Sequence, residues 1–170
     1  MEPTADELAG VVDLFGALTR AELRDALGEL AFKRGTEIAD ADARVADAVA
    51  SYHLVAVGPA AVEWSDDGDD GTGDTHGGDA EVLVVGPAAF PERPAGAEDL
   101  PHIMDVPDRT VDREATARAV ERRFREEAAA AVEDDDAARI QRLLDLSYEL
   151  EAWGPVDLAG ARDRLDAAVE

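Results

Sequence analysis

The chain has 170 residues, with 40 acidic side chains against 16 basic ones, and carries a formal net charge of -24. It has no cysteine, which excludes a disulfide scaffold, an iron-sulfur cluster and a thiolate zinc site, and its length suits one modest domain or a small domain with an extension. No run approaches the roughly twenty apolar residues of a membrane span, and no positive segment precedes an apolar stretch at the N-terminus, so a soluble cytoplasmic protein without a membrane partner is expected.

Residues 4–17 place Leu8, Val11, Val12 and Phe15 at helical spacing, with Asp6 and Glu7 where the dipole of a first turn favours acids. A second helix opens at Thr19, three positions before Glu22 as in a capping box, presents Leu23, Leu27 and Leu30 on one face and ends at Gly35. A third is expected over 40–52, through Val45, Ala48, Val49 and Tyr52, and leads straight into an apolar strand, Leu54, Val55, Ala56 and Val57.

That strand opens an internal repeat, because four apolar residues followed by Gly58-Pro59-Ala60-Ala61 return as Val82 to Val85 followed by Gly86-Pro87-Ala88-Ala89. Four apolar residues suit a short buried strand, and Gly-Pro suits its end. The two blocks are therefore expected to pair in one small sheet, with 61–64 as a possible third strand. Between them, 65–79 holds six aspartates and five glycines with no aliphatic residue, which predicts a mobile acidic hairpin loop. Its carboxylates lack the spacing, central glycine and final glutamate of a twelve-residue calcium loop, so no metal is assigned.

Residues 93–111 are proline-rich and aperiodic, a connector whose Leu100, Ile103, Met104 and Val106 are candidates to lie over the core. From 112 the helical pattern returns with Ala117, Val120, Phe124, Ala128 and Ala131 on one face. Asp134, Asp135 and Asp136 break it and cap a helix with Ile140, Leu143, Leu144, Ser147 and Leu150 inside. Gly154-Pro155 stops that helix, and Asp157 caps a last one through Leu158, Ala161, Leu165 and Ala168. The expected organisation is a domain over 1–92, a connector over 93–111 and C-terminal helices over 112–170.

Hydrophobic residues make up 46% of the chain and follow regular periods, which argues against overall disorder. So acidic a surface repels itself in ordinary buffer, and the screening length of roughly 3 Å at 1 M salt removes that repulsion. Asp and Glu in excess, 15 arginines against the single Lys33, many alanines and few aromatics resemble proteins of salt-accumulating halophilic archaea. Nearly half of the net negative charge lies in 65–112, where it solvates a loop and a connector.

Three helices, a strand, a loop and a strand over the first ninety residues resemble the winged helix-turn-helix fold, with the hairpin as the wing. The resemblance is carried by Leu18-Thr19-Arg20-Ala21-Glu22-Leu23, by the run over 48–57 and by the hairpin spacing. Residues 4–35 also look like a small uncharacterised protein family of haloarchaea. The expected class is α+β, mostly helical, a winged-helix-like core with a C-terminal helical extension.

What the winged-helix resemblance implies is a transcriptional regulator that binds DNA in high salt. Its third helix would enter the major groove, yet it offers Asp40, Asp42, Arg44 and Asp47. Counterion release yields less as bulk salt rises, so a few direct base contacts would have to suffice. Arg20, Arg24, Lys33, Arg34 and Arg44 are the candidates. The alternative is a protein-interaction adaptor, built on the same fold without DNA binding, whose C-terminal helices meet a partner or a second copy. Arg118, Arg122 and Arg125 share a helix face at i, i+4 and i+7 and are the partner-binding candidates, although Glu114 and Glu121 stand at ion-pairing distance in sequence.

An enzyme is the least supported class, and no cofactor is expected. His53, His76 and His102 are scattered, and no serine sits in a nucleophile elbow. Gly-Pro is no phosphate loop, since proline removes a backbone donor.

Overall fold

A computed structural model describes residues 1–64 and 81–170 of the chain. The expected acidic loop over 65–79, its rejected calcium site and His76 lie outside the described residues. The protein is α+β and mostly helical, with seven α-helices, a three-stranded antiparallel sheet and a two-stranded one among the described residues. The chain divides into two compact units, Met1–Asp112 and Arg113–Glu170.

In the first unit, helix α1 (Ala5–Phe15) starts from a capping box in which Glu7 N donates to Thr4 Oγ1 at 3.1 Å and Thr4 N donates to the Glu7 carboxylate at 2.8 Å. A two-residue strand, β1 (Leu18–Thr19), follows and ends at the cap of helix α2 (Arg20–Lys33). Thr19 and Glu22 form the expected second capping box, at 3.2 and 2.8 Å. The apolar face of α2, Leu23, Leu27 and Leu30, is fully buried with Leu8, Val11 and Val12 of α1.

Helix α3 (Ala41–Ala50) packs Val45 and Ala48 into the same core. Tyr52, at φ 61° and 2% exposed, supplies the left-handed residue that turns the chain from α3 into strand β2 (Leu54–Val57). Such a residue without glycine is strained and persists only where its surroundings fix it. Here they do, because its carbonyl accepts from Ala88 N at 3.0 Å and its side chain is buried.

Strand β2 pairs antiparallel with β4 (Val82–Val85), Leu54 opposite Val85 and Val57 opposite Val82. The repeated blocks thus pair as the sequence implies. Strand β1 joins the other edge of β4 through Leu18 opposite Leu83, giving the sheet order β1-β4-β2. Strand β3 (Val62–Trp64) does form, but it pairs with β5 (Arg109–Val111) in the second sheet, and the third place in the main sheet goes to β1.

The repeat diverges in how its two glycines are used. Beside Gly58 there is open space, whereas a Cβ on Gly86 would stand 2.2 Å from the Tyr52 carbonyl oxygen. The glycine at 86 allows the chain leaving β4 to cross the end of α3 at backbone distance.

The segment expected as a connector belongs to the first unit. Ala97 and Leu100 are fully buried, Met104 and Val106 pack on the core, and a short helix α4 (Leu100–Ile103) carries Ile103 outward. Four scattered apolar residues and a three-residue strand are enough to hold it, and none of them repeats at a period that sequence reading detects.

The second unit is three helices, α5 (Arg113–Glu133), α6 (Ala137–Trp153) and α7 (Ala159–Val169), each touching the other two. The faces read from the sequence are the buried ones: Val120, Phe124 and Ala131 on α5, Ile140, Leu143 and Leu150 on α6, Leu165 on α7. Asp136 caps α6 by accepting from Arg139 N at 3.1 Å, and Asp135, at φ 51°, makes the turn before it. Ser147, fully buried, donates to Leu144 O at 2.6 Å and accepts from Arg162 Nε at 3.1 Å, which satisfies its hydroxyl. Arg162 also holds Glu151 at 2.5 Å and lies 4.2 Å from the centre of the Tyr148 ring.

Candidate functional site

The winged-helix expectation would send helix α3 into the major groove, so its outward face is the first candidate. Helical spacing turns Val45 and Ala48 to the core and leaves Asp42, Ala43, Ala46, Asp47 and Ala50 exposed. The only cation on the helix, Arg44, donates to Glu2 at 3.1 Å and to Ala39 O at 3.3 Å. What this helix offers a partner is Asp47 and an Asp42 shared with Arg24, set among exposed alanines.

The other four proposed DNA contacts are committed within the first unit. Arg20 pairs with Glu81 at 3.3 Å, just before β4, and Arg24 pairs with Asp42 at 2.8 Å, tying α2 to the start of α3. Lys33 holds Asp99 at 2.8 Å, and Arg34 donates to Ala95 O at 3.1 Å. The Lys33 ammonium keeps the Asp99 carboxyl below the ordinary carboxylate range. The two bases at the end of α2 thus clamp the 95–99 segment onto the unit. Exposed pairs of this kind add little to stability, but Arg20, Arg24 and Lys33 each face a carboxylate that offsets the charge a phosphate would otherwise meet, and Arg34 is committed to a carbonyl.

On α5, Arg118 lies 3.8 Å from Glu114, and Arg125 lies 2.6 Å from Glu121 while also donating to Asp157 O at 3.0 Å. Arg122 is exposed between them. Two of the three partner-binding candidates therefore sit in i, i+4 pairs along their own helix.

One buried arginine escaped selection from the sequence. Arg109, 1% exposed at its side chain, makes a bidentate pair with Glu22 at 2.6 and 2.7 Å and donates to Ala17 O at 3.1 Å. Burial pushes the Glu22 carboxyl up, but hydrogen bonds from Arg109 and Thr19 together with the Arg109 charge outweigh it, and its pKa falls below the ordinary value. Glu22 thereby serves two neighbours, capping α2 and anchoring β5. Nothing local marks this arginine, because its partner lies 87 residues away.

His53 comes closest to a catalytic arrangement. Its Nδ1 is 2.7 Å from Ser51 Oγ, and its Nε2 is 3.8 Å from Asp6 Oδ1. The residue types are those of a hydrolytic triad, but the atoms have structural partners: Ser51 Oγ reaches Ala48 O at 3.2 Å, and Asp6 Oδ1 accepts from Phe90 N at 2.8 Å. In the tautomer with a proton on Nδ1 the ring donates to Ser51, whose own hydrogen then goes to Ala48 O. The group ties α1, the end of α3 and the chain after β4 together. Among the described residues no three His, Asp or Glu side chains are placed to hold a metal ion, and no helix is long and apolar enough to cross a membrane.

Comparison with known protein families gives a match over residues 6–170 to a family described as a family of unknown function (DUF7109). No curated protein and no solved structure matches the chain.

Proposed function

The chain belongs to this family of unknown function, and from its geometry we propose that it is a non-enzymatic, winged-helix-like interaction module that binds another protein and not duplex DNA. Its acidic surface suits a cytoplasm of high salt, as in halophilic archaea. The order α1-β1-α2-α3-β2-β3-β4 with sheet order β1-β4-β2 supports the winged-helix reading, since three helices precede a strand pair that shares a small antiparallel sheet with β1.

The observation that carries the choice of partner is the exposed face of α3, where Asp42 and Asp47 stand among alanines and the one arginine is held by Glu2. Duplex binding draws much of its affinity from phosphates neutralised by Lys and Arg, and specific readout commonly uses Arg or Lys on guanine. Asp47 at that position repels the backbone, and Asp42, held by Arg24 at 2.8 Å, offers guanine no donor. A DNA-associated regulator is favoured only by the element order, and fold alone is weak evidence of function.

The test has two arms. Fluorescence anisotropy of the full chain with genomic duplex fragments, from about 0.1 M to about 2 M KCl, should show no sequence-selective binding at any salt. Affinity purification from the native host in its own salt should recover a stoichiometric protein partner that rebinds the purified chain. Sequence-selective duplex binding, or a chain recovered alone, overturns the proposal.

A further inference from the structure

A groove of about 520 Å³ runs along α2 in the first unit, between that helix and the 103–106 segment. Its floor on the helix side is Gly28, where an added Cβ would meet no atom within 4 Å. A glycine in the middle of a helix weakens it relative to alanine, and no tight packing against Gly28 accounts for it. What it leaves is width.

The opposite wall is apolar, formed by Ile103, Met104 and Val106. Ile103 is 47% exposed, and Phe32, four residues beyond Gly28 on the same face of α2, is 82% exposed. Contiguous apolar side chains that line an open groove, as Ile103, Met104 and Val106 do, are a mark of contact with another molecule. Around them stand the carboxylates of Asp25, Glu29 and Asp105, none of which has an ion-pair partner among the described residues. The one lining arginine, Arg24, is given to Asp42.

We propose that this groove docks a basic amphipathic segment of a partner protein. An apolar residue of the segment lies over Gly28 against Ile103, Met104 and Val106, and its arginines or lysines meet Asp25, Glu29 and Asp105. Charge complementarity selects this occupant. An acidic or neutral segment leaves three carboxylates partly desolvated without partners, and a purely cationic one leaves Ile103 and the apolar wall beside it in water. The apolar contact also makes the site usable in concentrated salt, where a screening length of roughly 3 Å at 1 M removes long-range attraction and leaves close contacts. This inference rests on the interaction-module reading and names the surface and the chemistry of its partner.

The test is a random peptide display library selected on the full chain in about 1 M KCl, where diffuse attraction to a chain of net charge -24 is screened. Enriched peptides should combine arginine or lysine with an apolar residue at i, i+3 or i, i+4 spacing. Their affinity should fall about tenfold or more for Gly28→Gln, which fills the groove, and for Asp25→Lys, while Asp163→Lys on α7 leaves it unchanged. A native circular dichroism spectrum and a cooperative melt no lower than that of the native chain verify that both groove variants fold. Three results overturn the proposal: no enrichment, enriched peptides without basic residues, or binding unaffected by either groove variant. Enriched peptides that match residues 118–125 of this chain, with self-association of the protein, overturn it in favour of a second copy. A partner recovered from the host that still binds both groove variants sinks the groove assignment and leaves the interaction module standing.

Discussion

Arg109 of β5 and Glu22 in the first turn of α2 are 87 residues apart in sequence and meet in two hydrogen bonds of 2.6 and 2.7 Å, with the arginine side chain 1% exposed. The same carboxylate caps α2 through Thr19 N at 2.8 Å. A buried pair adds little over apolar residues of similar shape, but losing one partner strands a charge away from water. Because Glu22 is only half-buried and keeps Thr19 N as a partner, Arg109→Ala is expected to cost about 2–3 kcal/mol of unfolding free energy, below the cost for a fully buried pair. Urea denaturation checks this, and the double variant Arg109→Met with Glu22→Leu should recover much of the loss. A cost for Arg109→Ala below about 1 kcal/mol would show that the pair is as weak as an exposed one.

Because the folded-state pKa of Glu22 is depressed, the unfolded chain binds the proton more readily than the folded one. The stability this group contributes is present above its ordinary value of 4.5 and is lost as pH falls through the lower folded-state value. Many carboxylates titrate in the same range, so the comparison is with Glu22→Gln. The native chain should be the more stable at neutral pH, with the gap closing below about pH 4.5. A gap that is constant down to acid denaturation would contradict the assignment.

Three glycines separate cleanly by sign. At Gly10 a Cβ would stand 2.1 Å from the Glu92 carbonyl oxygen and at Gly86 2.2 Å from that of Tyr52, so alanine at either position forces backbone apart and is expected to cost about 1–3 kcal/mol or more. At Gly28 nothing lies within 4 Å, and alanine should stabilise α2 by about 0.5–1 kcal/mol. Thermal melts of the three variants test the ordering, and a destabilised Gly28→Ala would mean that the groove floor is tighter than its geometry.

The net charge of -24 sets the response to salt. Raising KCl from about 0.1 M to about 1 M shortens the screening length from roughly 10 Å to roughly 3 Å, which removes repulsion among carboxylates while barely touching the buried core. The melting temperature should climb steeply over that range, and the Arg109 and Glu22 pair should persist. A melting temperature flat with KCl would show that the acidity does not oppose folding.

Much of the fold was legible locally. Thr19 and Glu22 three positions apart marked the start of α2, the two four-residue apolar blocks marked β2 and β4, and Phe124 with Val120 and Ala131 marked the inner face of α5. These signals need only neighbours in sequence, since caps and helical periods are local. β1 was illegible at two residues, and the 93–111 segment looked like a connector because a lone buried leucine and a short strand carry no period.

The candidate site was less legible than the fold. Arg20, Arg24, Lys33, Arg34 and Arg44 were visible as bases in an acidic chain, but whether a base is available depends on which carboxylate or carbonyl stands opposite, and Glu81, Asp42, Asp99, Ala95 and Glu2 arrive from elsewhere in the unit. Sequence by itself determined the helices, the paired strands and the acid-rich surface, because propensity, spacing and composition are properties of the chain. Only the tertiary structure decided that Arg109 anchors the cap of α2, that Arg20, Arg24, Lys33, Arg34 and Arg44 are held by their neighbours and that Gly28 faces a groove walled by Ile103, Met104 and Val106. Each of these is a distance between residues remote in sequence, set when the core closes.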